Sequence, residues 1–435
     1  MLLVSTLIDR LALVDAVDEM VGPIKQRDRG LTAGEFVASL VECLVGGGDF
    51  LSDLDHARAD EVGAQLRSVE PPPSTTANSL ARRFGGEQIA AVEMANAHIV
   101  RRGFASLPRA QRRQLQAQRP TIDLDSTEIE VYGAAKRGVA YNYLGQRAMR
   151  ALPATWANLG VTLAADLFDG ATDPRSRAVE VLHRALDALP EGLRRPIVRL
   201  DSGFFAEPII TAIRDAGADW AVAVPRNPAV WRAIRAVNKR SWRPALDLPG
   251  AHVADLDYQP AGWPPCRAVV RRVRYRPDEI SHNPRARRRR TIDPDQLALF
   301  DAGNAGVLYS YSIILTNLRG RPDRIEHWFR QRTQIEDRIR DTKLGYALRH
   351  LPSGHPNVNQ TWAWAAHLAL NLSVLLQAIA YPDDQRAHAK RLRREVLHIA
   401  GRLTSHARRH VLHLGTDSDH IIRGLRRLDR LRPAA

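Results

Sequence analysis

The chain has 435 residues, 44% of them apolar and 26% charged, which is the composition of a folded globular protein and excludes a disordered one. That length exceeds one ordinary hydrophobic core, so two to four structural units are expected. Lysine and arginine number 63 against 48 acids, a net charge of +15 that suits a polyanionic partner such as nucleic acid, although arginine-rich coding by a GC-rich genome gives the same bias. Only Cys43 and Cys266 are present, which excludes a disulfide framework or a Cys-rich zinc site and suits a reducing cytoplasm.

The first apolar run, from Met1 to Arg10, meets charge too early for a signal peptide. Helical periodicity continues to Val21, and Thr32-Ala-Gly-Glu35 has the capping-box pattern before Phe36, Val37, Leu40, Val41 and Leu44. Gly46-Gly-Gly48 should end that helix. Further helices are predicted from Ser74 through Phe84 and from Glu87 to about Arg102. Residues 1–118 therefore read as a helical N-terminal domain for DNA-end binding, with Arg82, Arg83, Arg101 and Arg102 exposed as in a helix-turn-helix reader. A helical packing domain with solvated arginines explains the same residues.

From residue 119 the pattern changes to strands and helices. Strands are expected at 121–127, 140–145, 159–167, 196–200 and 220–224, with helices at 175–189 and 207–216. Three strands followed by helix, strand, helix and strand describe a mixed sheet flanked by helices, the order of a ribonuclease-H-like catalytic core. Its first part spans 119–225 and its second part 319–381. Between them, 226–318 reads as a β-rich basic insertion with strands at 268–276 and 308–316. The uncharged stretch from Trp362 to Tyr381 is long enough to cross a bilayer, but its His367, Asn371, Ser373 and Gln377 favour a buried core helix. Residues 382–435 read as a basic helical C-terminal region, with Leu392, Val396, Ile399 and Leu403 at helical spacing.

Three acids stand out as catalytic and metal-ligating candidates: Asp125 and Asp201 at the ends of apolar strands, and Glu336 on an amphipathic helix. Mg²⁺ prefers hard oxygen ligands, so carboxylates are the side chains a site for two such ions needs. Asp123 competes for the first position, since it shares a strand face with Asp125. Glu128, Glu130, Asp166 and Asp169 read as solvated or structural. On one helix, Phe329, Arg332 and Lys343 would share the face of Glu336, placing cations where DNA phosphates flank the acid; an ordinary surface Arg–Glu pair is the plainer reading. Ten arginines between Arg267 and Arg290 suggest a phosphate clamp, for which Arg272, Arg274, Arg276, Arg287 and Arg288 are the candidates. Trp231, Trp242 and Trp263 fit core packing better than stacking on an unpaired base.

The segments Asp125-Ser-Thr127, Tyr141-Asn-Tyr-Leu-Gly145, Leu200-Asp-Ser-Gly-Phe204 and Phe329-x2-Arg332-x3-Glu336-x6-Lys343, followed by Leu351-Pro-Ser-Gly354, resemble the DDE transposases of bacterial insertion sequences. The similarity is to the branch with a β-rich insertion between the second Asp and the Glu, and it spans roughly residues 30–430. Spacings of 76 and 135 residues between the acids leave room for the insertion. Phe329 stands where the family usually has Tyr, and the family pattern leads one to expect a few residues before Met1.

The resemblance implies a Mg²⁺-dependent enzyme, with Mn²⁺ able to substitute, that cuts the terminal inverted repeats of an element and joins the 3′ ends to target DNA. Asp125 would bridge two ions, with Asp201 on one and Glu336 on the other. It also implies a DNA-bound homodimer, to which the C-terminal region would add dimer or DNA contacts, and no membrane. Another nuclease of the same fold and a non-catalytic DNA-binding regulator are the alternatives; the chain is large for a minimal nuclease, and all three carboxylates are intact.

Overall fold

The computed structural model describes residues 1–26, 29–133, 136–142, 144–275, 308–406 and 409–431. Contact density groups them into two units, Met1–Pro196 with Gln334–Ala435, and Ile197–Thr333.

The first unit opens with helices α1 (Leu2–Leu11), α2 (Leu13–Val21), α3 (Ala33–Gly46), α4 (Asp53–Ala59), α5 (Glu61–Ala64), α6 (Ser74–Ala81), α7 (Gly86–Ser106) and α8 (Arg109–Ala117). Ala12, in the left-handed conformation at φ 50°, divides the first periodic run in two. The capping box at α3 forms as its sequence dictates. Glu35 N donates to Thr32 Oγ1 at 3.1 Å, and Thr32 N donates back to Glu35 Oε2 at 2.8 Å. Strands β1 (Thr121–Leu124), β2 (Thr127–Glu130), β3 (Ala140–Tyr141), β4 (Arg147–Trp156) and β5 (Val161–Asp169) follow, then α9 (Arg175–Asp187).

The long strand β4 organises this sheet, pairing antiparallel with β1, β2, β3 and β5. It is absent from the sequence reading because Pro153 and the alanines Ala148, Ala151 and Ala154 are poor strand formers, and proline removes a ladder donor. The chain absorbs that loss with a register shift against β5 next to the proline, between Ala154 and Thr155.

The second unit holds β6 (Ile197–Leu200), α10 (Glu207–Asp215), β7 (Asp219–Ala223), α11 (Pro228–Ala236), β8 (Arg243–Pro244), β9 (Ala251–Leu256), β10 (Arg267–Tyr275), β11 (Leu308–Thr316) and α12 (Pro322–Arg330). β6 and β7 are parallel and joined through α10, whereas β7, β11, β10, β9 and β8 run antiparallel to their neighbours. Among the described residues, the stretch from 226 to 318 holds α11 and the strands β8 to β11. Ile325 of α12 packs against Val253 and Val269. Beside it Glu326, 1% exposed, is neutralised by Arg271 at 2.7 Å and Arg330 at 3.2 Å.

The chain then returns to the first unit through α13 (Gln334–Gly345), α14 (Pro356–Ala380), α15 (Ala389–Leu392), β12 (Gly401–His406), β13 (Arg409–Leu414) and α16 (Asp419–Asp429). Among the described residues α14 is the one helix long and apolar enough to cross a membrane, yet it is buried almost throughout among α3, α7 and β5. Its buried Asn371 is satisfied there: Thr162 N donates to Asn371 Oδ1 at 2.7 Å, and Asn371 Nδ2 donates to Asn96 Oδ1 at 2.7 Å. The C-terminal region departs from the expected run of helix. A π turn covers Arg393–Leu397, and Leu403 lies on the β12–β13 hairpin. Its apolar spacing was ambiguous because a short run of this kind fits a helix or a strand. Mixed strand directions with flanking helices fit a ribonuclease-H-like core carrying insertions.

Candidate active site

In the first unit the segment read as one strand from 121 to 127 breaks at Asp125. β1 ends at Leu124 and β2 begins at Thr127, so Asp125 and Ser126 occupy the joint. Asp125 N donates to Pro153 O at 3.4 Å, and Ser126 N donates to the Asp125 carboxylate at 2.9 Å. The carboxylate is thereby fixed by its own turn. Asp123 is only 1% exposed. It does not line the cleft that Asp125 opens on, which favours Asp125 as the reactive acid of the pair.

That cleft, of about 380 Å³, is lined by Asp125, Ser126 and Thr127 on one side and by Glu336, Ile339, Arg340, Lys343 and Leu344 on the other. The second set is spaced i, i+3, i+4, i+7, i+8, one face of α13. Ile335, on the opposite side, is buried at 2% exposure and keeps that face turned to the cleft. Two carboxylates 211 positions apart in sequence therefore share one concave surface.

Lys343 is engaged inside the protein. Its ammonium donates to Glu128 O at 2.7 Å and to Thr127 Oγ1 at 3.2 Å, tying α13 to β2, and burial lowers its pKa. Behind it the Glu128 carboxylate accepts from Asn142 Nδ2 at 2.5 Å and from Arg150 Nη2 at 2.7 Å. Asn142 also takes the amides of Leu144 and Gln146 on its carbonyl oxygen, at 3.0 and 2.8 Å. The Asn at the centre of Tyr141-Asn-Tyr-Leu-Gly145 thus builds the turn and braces the strand beside Asp125. Sequence reasoning quoted the motif without finding that role.

In the second unit Asp201 follows β6 and caps a 3₁₀ turn, accepting from Gly203 N at 2.8 Å. Arg332 Nη2 stands 3.6 Å from its other carboxylate oxygen. Arg199, two residues earlier on the same strand face, is 2% exposed. It donates to Trp328 O at 2.5 Å and lies 5.0 Å over the Trp328 ring, which anchors the end of α12. Phe329 and Arg332 line a cavity of about 390 Å³ in this unit, together with Ser202, Arg226, Arg271 and Tyr311.

The expected continuous α-helix through Phe329, Arg332, Glu336 and Lys343 is interrupted. A 3₁₀ turn at Gln331–Thr333 separates α12 from α13, and the boundary between the two units falls after Thr333. Thr333 Oγ1 donates to Arg330 O at 3.3 Å, a local bond that competes with continuing the helix. Phe329 and Arg332 accordingly belong with Asp201, and Glu336 and Lys343 with Asp125.

Of the arginine clamp, Arg272 is held between two rings, 4.1 Å from the Trp242 centroid and 4.9 Å from that of Tyr309, while Arg274 is exposed. Arg276, Arg287 and Arg288 lie outside the described residues. The other tryptophans pack inside the unit, Trp231 edge-on to Tyr311 at 5.7 Å and Trp263 stacked on Phe205 at 4.4 Å.

The donors fit a hard divalent cation: Asp125 and Glu336 offer carboxylate oxygens to one cleft, and among the described residues no Cys or His lines it. Among the described residues no group of three His, Cys, Asp or Glu side chains forms a ready-made cage.

Residues 1–433 match the family described as "Transposase DDE domain group 1". No curated protein matches the chain. Among solved structures it is similar to a piggyBac transposase synaptic complex with hairpin DNA, studied by cryo-EM, at 12% identity and a TM-score of 0.45, over 90% of this chain and 78% of that one. At that distance the likeness adds nothing to the family match.

Proposed function

The chain belongs to the DDE transposases, and from that premise we propose that it cuts the terminal inverted repeats of a bacterial insertion sequence and joins the freed 3′ ends to target DNA. The observation that carries this reading is the convergence of Asp125 and Glu336 on one cleft in a chain of net charge +15. Asp201 is the third acid. Held at its own turn by Gly203 N, it keeps an oxygen facing Arg332.

In this reading Asp125, Asp201 and Glu336 would hold Mg²⁺, or Mn²⁺ in its place. Two such ions would stabilise the attacking and leaving oxygens of an in-line displacement. The protein's own contribution is to hold its carboxylates oriented. The Asp125 turn and the Lys343 tie to β2 fix the two walls of the cleft, and exposed cations such as Arg274 neutralise phosphates. The enzyme would act in the cytoplasm as a homodimer on paired DNA ends.

A strand-transfer assay with the DNA flanking the gene tests the proposal. Mg²⁺ should support nicking and joining, whereas Ca²⁺ should support binding alone. Joining with neither ion dependence nor end preference would refute it.

A further inference from the structure

The C-terminal segment after α14 does not present all its arginines to solvent. Arg393, at the start of the π turn, donates from Nε to Val45 O at 2.8 Å and from Nη2 to Leu44 O at 2.7 Å. The same Nη2 also donates to Gly345 O. Leu44 and Val45 close α3, and Gly345 closes α13, the helix that carries Glu336. One guanidinium thus caps the carbonyl ends of two helices, where both macrodipoles are negative.

Neighbouring contacts belong to the same strap. Asp341 of α13 accepts from Ala389 N at 3.1 Å, and Arg386 donates to Leu159 O at 2.8 Å and Gly160 O at 3.3 Å. Gly160 sits at φ +79°, and a side chain there would meet Arg386 and Arg338. The turn is packed against the strap at a point only glycine permits. His398 closes the strap on α3, with its ring 2.9 Å from Gly46 O.

We infer that Arg393 is a positioning residue for cleavage: it fixes the axis of the Glu336 helix by locking that helix's C-terminal end to the end of α3. The inference rests on the reading of Glu336 as a catalytic acid. Its mechanical basis is that α13 has no helical continuation before Gln334, where the 3₁₀ turn intervenes, so its far end must be held. Glu336 lies nine residues from Gly345, about 13 Å along the axis. A tilt of about 5° about the C-terminal end would then move Glu336 by about 1 Å, a displacement on the scale that costs about 100-fold in rate. α3 belongs to the helices preceding β1, so the strap also couples that region to the catalytic helix.

The test uses the full chain with Arg393→Gln and Arg393→Lys, a supercoiled plasmid carrying the DNA that flanks the gene, and Glu336→Gln as control. Hydrogen exchange is measured on the metal-free, DNA-free protein. Arg393→Gln should raise exchange across residues 334–345 at least about 10-fold, leave β4 and β5 protected, hold plasmid binding within about twofold, and slow Mg²⁺-dependent nicking about 10- to 100-fold. Arg393→Lys should behave alike, since one ammonium cannot reach three carbonyls of two helices. Added guanidinium should restore part of the Arg393→Gln rate. Unchanged exchange in 334–345, wild-type nicking, or a rate loss that follows loss of binding or of β4 and β5 protection would overturn the positioning role alone. Nicking by Glu336→Gln would instead overturn the functional reading on which it rests.

Discussion

Arg332 Nη2 stands 3.6 Å from Asp201 Oδ2, with the arginine side chain 13% exposed and the aspartate 38%. A cation this enclosed is committed to the carboxylate before any DNA arrives. It neutralises the acid and limits its rotation, and it shares a cavity with Phe329 and Ser202. Arg332→Ala should therefore slow nicking more than it weakens end binding, and the slope of log affinity against log salt should change by well under one. A slope change near 0.9, as for one lost phosphate contact, would show that Arg332 leaves Asp201 for the DNA.

Arg272 and Arg274 should separate cleanly. Arg274 is exposed and should account for about one unit of salt slope when changed to Ala. Arg272, held between Trp242 and Tyr309, should leave the slope alone and instead cost about 1 kcal/mol of stability in a denaturant titration. Equal salt effects from both would refute the internal role.

Lys343→Met keeps much of the aliphatic stem but removes the donor to Glu128 O and Thr127 Oγ1. Leaving a partly buried carbonyl without its partner should cost about 1–3 kcal/mol. Urea unfolding followed by circular dichroism measures the loss, and wild-type stability would contradict the tie between α13 and β2.

His367 is fully enclosed in α14, where burial lowers its pKa to about 4, with Thr162 Oγ1 3.4 Å from its Nδ1. The unfolded chain takes up a proton near the ordinary value of 6.5, whereas the folded chain resists until about 4. Stability should therefore fall as pH drops through that window, by about 1.4 kcal/mol per unit from this group. His367→Asn should flatten that part of the profile. An unaltered acid limb in the variant would show that His367 does not carry it.

The three acids could be proposed from sequence because strand ends and a polar helix face leave marks there, and the Asp-Ser-Thr context favoured Asp125 over Asp123. The core helix α14 was legible for a similar reason: twenty uncharged positions with a few satisfiable amides fit an interior better than a bilayer. What stayed hidden depends on partners distant in the chain. β4 is disguised by Pro153, and its identity comes from pairing with strands on either side. The 3₁₀ break at 331–333 is invisible in a segment whose spacing satisfies one continuous helix. Arg393 looked like one more surface cation in a basic tail, since its targets are main-chain carbonyls more than 340 residues away or at another helix end.

The most direct measurement of the central claim is single-turnover nicking of end DNA in Mg²⁺ by Asp125→Ala, Asp201→Ala and Glu336→Ala, alongside end binding by the same proteins. Each variant should bind like the parent and lose strand cleavage altogether. Cleavage retained by any one of them would remove that residue from the catalytic set, and cleavage retained by Asp125→Ala or Glu336→Ala would contradict the assignment of their shared cleft as the active site.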